Sequence, residues 1–414
     1  MSNEIDIFPE FYTGPPVDST DLRYRDEFLD DLWENICSSH ILLTAPRRTG
    51  KTSVMDHLVA HPRNGFIVLK ENVQDLSHPA DVLLSLLARF HDEHPALLRD
   101  TLSNGWALLK KAFSKLESLS VSEFKVALRE SDPNWKENWR KHGEDLLRQL
   151  RKHDSPVLLI IDELPDMLLN LRDEEPSLLK PFLAWFRTQR QVPLKEDSVR
   201  WLVGGSINLS STLDSEDMVD LINDLEDMPL PILTSEQVRD FVTTMLEGRN
   251  TLIHEDVPAA VVQHLGRPIP LFMQILTQDL YRHWKKLPES RPLQAEDVAT
   301  TFDALIRSSA AQDKLQHFYS RLRRYYHEPK LSAAHTILSQ LSLSPEGLSR
   351  SSLMNEFQRT LIESGQQLPL FEQKQLFNEL LRDLANDFYI EEISDNQYDF
   401  ASGILKAWWR KYYG

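Results

Sequence analysis

The sequence predicts an α/β protein whose first domain is built on a parallel sheet. Two short apolar runs support this prediction, because each is followed by polar residues where a buried strand would leave the sheet. Residues 41–43 lead into a turn that ends in Gly50-Lys51-Thr52. Residues 156–161 lead directly into Asp162 and Glu163. Helical periodicity between and after these runs predicts helices that cover the sheet.

The turn after the first run has the pattern of a phosphate-binding loop. Its candidate ligand-binding residues are Ala45, Pro46, Arg47, Arg48, Thr49, Gly50, Lys51, Thr52 and Ser53. Backbone N–H groups of such a loop converge on phosphate, Lys51 reaches the β- and γ-phosphates, and the Thr52 hydroxyl binds Mg²⁺. Ala45 occupies the first glycine position of the usual pattern and is small enough for a similar loop. The pattern predicts a nucleoside triphosphate ligand.

The acidic pair after the second run predicts catalysis as well as binding. In P-loop enzymes a carboxylate at this strand end holds the Mg²⁺ shell, which is the role we assign to Asp162. The adjacent Glu163 would polarise the attacking water, with Lys51 as the second catalytic residue. The alternative is a strand exit with solvated acids and a surface lysine, but both motifs occur in the expected order.

Composition limits the classes of function. The chain has 414 residues and a net charge of -17, which predicts two or three domains and no general electropositive field for DNA or anionic membranes. Any contact with nucleic acid must therefore be local. Cys37 is the single cysteine, and the N-terminal residues lack a basic and apolar leader. We expect a cytoplasmic protein that does not span a membrane.

The remaining patterns of the first domain follow in chain order. Residues 1–20 predict an extended arm over this domain and residues 21–35 a helix. A strand is expected at 41–44, the loop helix at 52–60, a second strand at 66–69, a helical insertion at about 79–153, a helix at 176–190 and a strand at 200–206. The acidic stretch 214–227 predicts a solvated helix face, and residues 229–233 would close the sheet.

The strand at 200–206 ends in a candidate sensor. Ser206 or Asn208 occupies the place where related ATPases put a residue that contacts the γ-phosphate. An ordinary serine turn explains the same residues equally well. Two glycines, Gly204 and Gly205, precede them and would allow the backbone to approach a ligand closely.

Three domains are expected: a core at 1–232, a helical lid at 233–310 and a winged helix at 311–414. Thr234 has the pattern of a helix cap at the start of the lid. Gly266-x-Pro268 lies between two lid helices. The last domain combines helices near 332–343, 349–363 and 372–386 with short strands at 389–393 and 397–400.

This combination resembles the archaeal-type ATPases of the STAND class, in the AAA+-like branch of the ASCE P-loop NTPases and beside the origin-recognition ATPases. The resemblance rests on the loop 46–53, the Asp162-Glu163 pair, Gly266-x-Pro268 and the winged helix, and it covers residues 25–409. It implies ATP and Mg²⁺ as ligands, ATP hydrolysis, and Gly266 and Pro268 against the adenine. The alternative for Gly266 and Pro268 is a simple turn between two helices.

Two departures from the family pattern accompany this resemblance. Ala45 replaces a glycine, and the lid lacks an obvious sensor arginine because Arg267 lies inside the Gly-x-Pro turn. Hydrolysis is therefore expected to be slow or to need a neighbouring subunit. Arg47 and Arg48 are unusual in a loop that binds polyanions. They would face the γ-phosphate, pair with acids such as Glu71, or reach a neighbouring protomer.

The resemblance implies a nucleotide-dependent switch or assembly ATPase that acts with a protein partner, the product of a neighbouring gene, as in bacterial antiviral defence. A homo-oligomer is compatible with this reading. The alternative is a winged-helix DNA-binding regulator or DNA-processing loader. Its candidate reading helix, 372–387, carries four acids against Lys374 and Arg382, which disfavours DNA. Arginines and tyrosines at 319–326 form the best remaining nucleic-acid patch, or they simply pack.

Overall fold

The computed structural model describes residues 10–46, 48–95, 120–193, 197–205, 218–288 and 291–414. The chain forms two compact units. The core unit comprises residues 17–45 and 50–231, and the C-terminal unit comprises the described residues of 1–16 and 46–49 together with 232–414. Among the described residues, no helix has the length and apolar character needed to cross a membrane.

The core unit contains a five-stranded parallel sheet with strand order β2-β3-β4-β1-β5. The strands are β1 (Ile41–Thr44), β2 (Ile67–Asn72), β3 (Val157–Asp162), β4 (Val199–Gly205) and β5 (Glu226–Pro229). Because all strands are parallel, their carboxyl ends lie at one edge of the sheet. The loop after β1 and the acids after β3 therefore share that edge, with the end of β4 between them.

Seven described helices belong to this unit. They are α1 (Asp26–Ser38), α2 (Lys51–Ala60), α3 (Pro79–Glu93), α4 (Val121–Ser131), α5 (Trp139–Leu150), α6 (Leu164–Glu174) and α7 (Pro176–Arg190). Alternate residues of β3 belong to two different apolar clusters. Leu158 and Ile160 pack with residues of α1 and α2, whereas Leu159 and Ile161 pack with residues of α3 and α5 to α7. The apolar run of β3 is continuous because the strand is buried on both faces.

The expected helical insertion is present as α3, α4 and α5, while the helical pattern at 106–116 lies outside the described residues. Aromatic rings fix the insertion to α7, since Trp139 meets Trp185 edge-on at 5.2 Å between ring centroids. Gly143 provides the space, because a Cβ atom there would lie 2.4 Å from the Trp185 ring. The insertion is thus part of the core packing.

Two sequence predictions for the end of the core unit are wrong. The last strand is Glu226–Pro229 rather than 229–233, and it carries exposed acids because it lies at the edge of the sheet. The acidic stretch is not a solvated helix face over its described part, 218–227. Its Asp224 carboxylate binds Arg190 with two hydrogen bonds of 2.8 Å, and Asp227 accepts one from the Thr44 hydroxyl at 2.7 Å.

The C-terminal unit begins with four helices, which we call the four-helix segment: α8 (Ser235–Glu247), α9 (Val257–Leu265), α10 (Pro270–Trp284) and α11 (Ala295–Arg307). Thr234 caps α8 in a reciprocal capping box with Gln237, as its sequence predicts. The C-terminal segment follows with α12 (Ser309–Tyr325), α13 (Lys330–Leu343), α14 (Arg350–Glu363), α15 (Leu370–Asn386) and α16 (Gly403–Tyr413).

The C-terminal segment also contains a small antiparallel sheet with strand order β6-β8-β7. Its strands are β6 (Leu348–Ser349), β7 (Ile390–Ser394) and β8 (Gln397–Phe400). The expected three helices and two strands are therefore confirmed, and β6, α12 and α16 are additional elements. The boundary between the two segments at 310 remains a prediction.

Tyr319 and Arg321 of the arginine and tyrosine cluster at 319–326 pack against other parts of the C-terminal segment. Tyr319 stacks on Tyr413 at 4.1 Å between ring centroids, and the fully buried Trp409 lies 5.8 Å from the Tyr319 ring. Arg321 is largely buried, with its guanidinium 3.6 Å from the Asp387 carboxylate. These contacts favour the packing alternative over a nucleic-acid patch.

The N-terminal arm differs from the expectation that it lies wholly over the first domain. The Tyr12 N–H donates to Gln274 Oε1 at 2.5 Å, so this part of the arm contacts α10 of the C-terminal unit. The Val17 N–H donates to Ser53 Oγ at 3.0 Å, so the next part contacts α2 of the core unit.

Candidate functional site

The loop between β1 and α2 has a backbone that needs glycine at one position. Gly50 caps α2 with a φ of 98°, in the left-handed region, and no atom lies within 4 Å of where its Cβ would be. Glycine is therefore required for conformation rather than for space. The Thr49 hydroxyl donates to the Pro46 carbonyl at 2.6 Å, which closes the loop on itself.

Two other loop residues have clear environments. Ala45 is buried, and it is not among the residues with positive φ, so alanine is acceptable where the usual pattern has glycine. Ser53 is buried on α2 and accepts the hydrogen bond from the Val17 N–H. Its hydroxyl therefore holds the arm in this structure, and its contact with a ligand remains a prediction.

Four of the predicted site residues converge at the carboxyl edge of the sheet. Lys51 is the first residue of α2 and only 8% exposed, and its Nζ lies 3.5 Å from Asp162 Oδ1 and 3.5 Å from Glu163 Oε2. The Thr52 hydroxyl donates to Asp162 Oδ2 at 3.1 Å. A cation, a hydroxyl and two carboxylates from α2 and β3 thus meet in one place.

Gly204 on β4 makes room for this cluster. A Cβ atom at Gly204 would lie 2.8 Å from Asp162 Oδ1 and 2.2 Å from the terminal methyl group of Met55. The sequence analysis expected close approach of a ligand to the backbone here, whereas the structure brings the Asp162 carboxylate. The candidate sensors Ser206 and Asn208 lie outside the described residues.

The Asp162 and Glu163 carboxylates are incompletely satisfied. Within the described part of the chain, Asp162 Oδ1 and Glu163 Oε2 are buried and accept no hydrogen bond. Glu163 also has a left-handed backbone, with φ 61° and ψ 38°, which is uncommon for a residue with a side chain. Such strain is frequent at functional sites. The Thr52 and Asp162 oxygens have the ligand chemistry that Mg²⁺ prefers, so these residues fit that ion.

One residue of this cluster was missed by the sequence analysis. Lys70 on β2 has its Nζ 2.5 Å from Asp56 Oδ1 and 3.9 Å from Asp162 Oδ2. The sequence shows a lysine at the end of an apolar run, which is the ordinary place for a polar residue. Only the pairing of β2 with β3 brings it beside Asp162.

The structure describes one of the two arginines of the loop. Arg47 lies outside the described residues, and Arg48 is exposed with a φ of 68°. Glu71, one of the acids suggested as their partner, is bound by Arg89 Nε at 3.1 Å. Arg89 therefore already supplies a cation to that carboxylate.

The Gly266-x-Pro268 turn packs against the C-terminal segment. Gly266 has a φ of 65° and forms a backbone bridge with Ser402, and the Arg267 N–H donates to the Ala401 carbonyl at 3.1 Å. A Cβ atom at Gly403 would lie 2.2 Å from the His264 carbonyl oxygen. The turn is thus a docking contact within the C-terminal unit.

The Arg267 side chain extends this contact. Its guanidinium lies 4.4 Å from the centroid of the Phe388 ring and 3.7 Å from Glu391 Oε2. Burial raises the pKa of Glu391, and burial lowers the pKa of Arg267. The predicted contact of Gly266 and Pro268 with adenine remains a prediction.

Comparison with known proteins identifies the fold. No protein-family model and no curated protein matches the chain. The Walker-type ATPase of Pyrococcus abyssi is 16% identical over 97% of this chain and 99% of that chain, with a TM-score of 0.60. The ORC2 protein of Aeropyrum pernix is 13% identical over 96% and 94% of the two chains, with a TM-score of 0.49. The similarity to the Pyrococcus ATPase shows that the chain shares the α/β fold of that protein, as the sequence predicts.

Proposed function

We propose that this protein binds ATP with Mg²⁺ and hydrolyses the nucleotide. The observation that carries the proposal is the convergence of α2 and β3, where Lys51 Nζ lies 3.5 Å from both Asp162 and Glu163 and Thr52 bonds to Asp162. A lysine, a hydroxyl and two acids behind a loop with a left-handed Gly50 are the groups that phosphoryl transfer to water requires.

Each residue has a distinct task in this proposal. Lys51 exchanges its carboxylate partners for the β- and γ-phosphates, while N–H groups of the loop 45–53 bind the phosphate oxygens. Thr52 and Asp162 hold Mg²⁺, which when bound neutralises charge on the triphosphate. Glu163 orients a water molecule and accepts its proton. We also assign Gly266 and Pro268 to the adenine and Ser206 to the γ-phosphate.

Calorimetric titration with ATP tests the proposal directly. Replacing Lys51 with Ala removes the ammonium contact to the phosphates, so ATP affinity should fall by at least about tenfold. Arg89→Ala, which removes an exposed guanidinium near the end of β2, is the matched control and should bind ATP normally. Unchanged ATP affinity in Lys51→Ala would refute the phosphate-binding loop.

We further propose that the protein is a cytoplasmic switch or assembly ATPase in which residues 233–310 form a lid and residues 311–414 a winged helix. ATP would close the lid and hydrolysis would reopen it, with the output supplied by a protein partner or by a homo-oligomer. Bacterial antiviral defence is the process to which we assign it, through the STAND resemblance. The product of a neighbouring gene is the first partner to test.

A protein partner is favoured over DNA by the surface of α15. At the start of this helix, where a DNA-reading winged helix meets the groove, Leu370 is 57% and Phe371 is 76% exposed. Two acids further along the helix are paired within the protein: the Lys330 ammonium lies 2.8 Å from the Glu379 carboxylate and 3.7 Å from that of Asp383. An apolar surface on an acidic chain suits a protein partner with apolar and basic side chains.

Light scattering after size exclusion separates the two functions. The full chain with ATP should form a complex with the neighbouring gene product, and Phe371→Ser should weaken that complex while leaving ATP affinity unchanged. A salt-dependent gel shift on duplex and single-stranded DNA is the counter-test. Tight, sequence-specific DNA binding at physiological salt, lost in Phe371→Ser, would favour the regulator or loader instead.

A further inference from the structure

Lys70 joins the helix of the phosphate-binding loop to the buried acid of β3. Its Nζ lies 2.5 Å from Asp56 Oδ1 on α2 and 3.9 Å from Asp162 Oδ2. The Lys70 side chain is 14% exposed, whereas the Asp56 side chain is 39% exposed and therefore reaches solvent. Asp56 thus holds the Lys70 ammonium at a position 3.9 Å from the Asp162 carboxylate.

The buried Asp162 carboxylate needs a nearby cation. The Asp162 side chain is fully buried, and Lys51 Nζ is 3.5 Å from it and 3.5 Å from Glu163. A buried carboxylate without a nearby cation is strongly destabilised. The proposed function requires Lys51 to move toward phosphates, and among the described residues Lys70 is the other cation within 4 Å of Asp162.

We propose that Lys70 is a positioning residue that serves as the permanent counter-ion of Asp162, anchored by Asp56, so that Lys51 is free to bind phosphate. This inference rests on the proposed ATP binding. The Lys70 charge should contribute most to ATP binding in the absence of Mg²⁺, when a triphosphate adds negative charge beside Asp162. With Mg²⁺ at saturation, the divalent ion supplies positive charge at the same carboxylate, so the contribution of Lys70 to ATP binding should be smaller.

Calorimetry with ATP, once in EDTA and once in saturating Mg²⁺, tests this inference. Lys70→Met should weaken ATP binding at least about tenfold in EDTA and less than about threefold in Mg²⁺, because only the first condition leaves Asp162 without a cation. Lys70→Arg keeps the charge and should stay within about threefold of wild type in both conditions. Asp56→Asn should also lower ATP affinity more in EDTA than in Mg²⁺, but by a smaller factor than Lys70→Met.

The outcomes are distinguishable from failure of the proposed function. If Lys70→Met lowers ATP affinity equally in EDTA and in Mg²⁺, the role of Lys70 is purely structural. If ATP affinity is unchanged in both conditions, Asp162 needs no second counter-ion when Lys51 binds phosphate. Each result overturns the inference while Lys51→Ala still loses ATP binding. If Lys70→Met does not fold, Asp56→Asn and Lys70→Arg still decide, because a loss in Asp56→Asn that is independent of Mg²⁺ contradicts the inference.

Discussion

Two charge clusters of the core unit, each with a buried partner, are built differently. At the edge of the sheet, Lys51 and Lys70 stand 3.5–3.9 Å from Asp162, and buried carboxylate oxygens there accept no hydrogen bond in the described residues. At the C-terminal end of α7, Arg190 binds Asp224 through two hydrogen bonds of 2.8 Å. The Arg190 side chain is fully buried and also donates to the Leu221 carbonyl.

The first cluster is suited to a lysine that changes its anionic partner, and the second is suited to stabilising the fold. Bidentate arginine pairs fix both partners in one geometry, whereas a lysine at 3.5 Å is a point charge that can move to another anion. In the first cluster, buried oxygens of Asp162 and Glu163 accept no hydrogen bond within the described residues. The second cluster is complete at the Asp224 carboxylate, whereas the buried Arg190 Nη1 makes no hydrogen bond within the described residues.

The largest expected effect is on hydrolysis. Glu163→Gln retains shape but loses the carboxylate that would accept a proton, so ATP turnover should fall by about 10²–10⁴-fold while ATP affinity is retained. Phosphate release and calorimetry measure the two quantities, and Asp173→Asn, an exposed acid on α6, is the control.

The trapped ATP state of Glu163→Gln also tests the switch. Its complex with a partner, or its homo-oligomer, should be more stable with ATP than that of wild type, as measured by size exclusion with light scattering. Turnover equal to that of wild type would exclude Glu163 as the base. Lost turnover without any ATP-dependent change in assembly would leave an ATPase that is not a switch.

The second expected effect concerns the complete cluster. Asp224→Ala leaves a fully buried guanidinium without its carboxylate, so the free energy of unfolding should fall by about 3 kcal/mol. Urea denaturation measures this value. Asp220→Ala removes the exposed partner of Arg187 and should cost less than about 1 kcal/mol. Similar losses in the two variants would contradict the distinction between the clusters.

The third effect is a pH dependence from His40, which lies beside the complete cluster. Its Nε2 contacts the Arg190 carbonyl at 3.0 Å, and its Nδ1 accepts the Trp201 N–H at 3.2 Å. Burial lowers the pKa of His40 from 6.5 to about 4. The unfolded chain therefore binds the proton more tightly, and stability is full above pH 6.5 and is lost as the pH falls toward 4, by up to about 3 kcal/mol.

Urea denaturation of wild type and His40→Gln between pH 7.5 and 5 measures this contribution. The difference in unfolding free energy between the two proteins should shrink as the pH falls, because only wild type carries the buried imidazole. A difference that is constant with pH would show that His40 does not titrate in this way.

The smallest expected effect is at Thr52. Thr52→Ala removes one proposed Mg²⁺ ligand, so ATP affinity should fall about threefold to tenfold in Mg²⁺ and change little in EDTA. This dependence is the opposite of that expected for Lys70→Met. Equal loss in both conditions would assign Thr52 to phosphate or to the fold instead of to the metal.

The sequence was sufficient where a pattern is local. Gly50, Lys51 and Thr52 are adjacent in the chain, and β3 is recognisable because five consecutive apolar residues, 157–161, precede Asp162. The parallel sheet and most helices follow from such patterns. The strand β5 did not, because an edge strand with exposed acids carries no apolar signal.

Features that depend on non-local pairing could not be predicted. Lys70 lies near Asp162 because of the register of β2 against β3. Glycine is needed at position 204 because the Met55 and Asp162 side chains approach the backbone there. The Gly266 turn gave the pattern of a ligand contact, yet its backbone bridges Ser402, far along the chain. Local residue patterns carry no information about these partners.

The contact between the four-helix segment and the C-terminal segment has a consequence for how related sequences diverge. A side chain at Gly403 would meet the His264 carbonyl at 2.2 Å, and one at Gly266 would meet the Gly403 nitrogen at 3.2 Å. Gly403 therefore permits the close approach of the His264 carbonyl, and Gly266 lies at a tight approach in the same docking contact. Descendants that retain this docking should keep both glycines together, and a lineage that loses one should be free to lose the other.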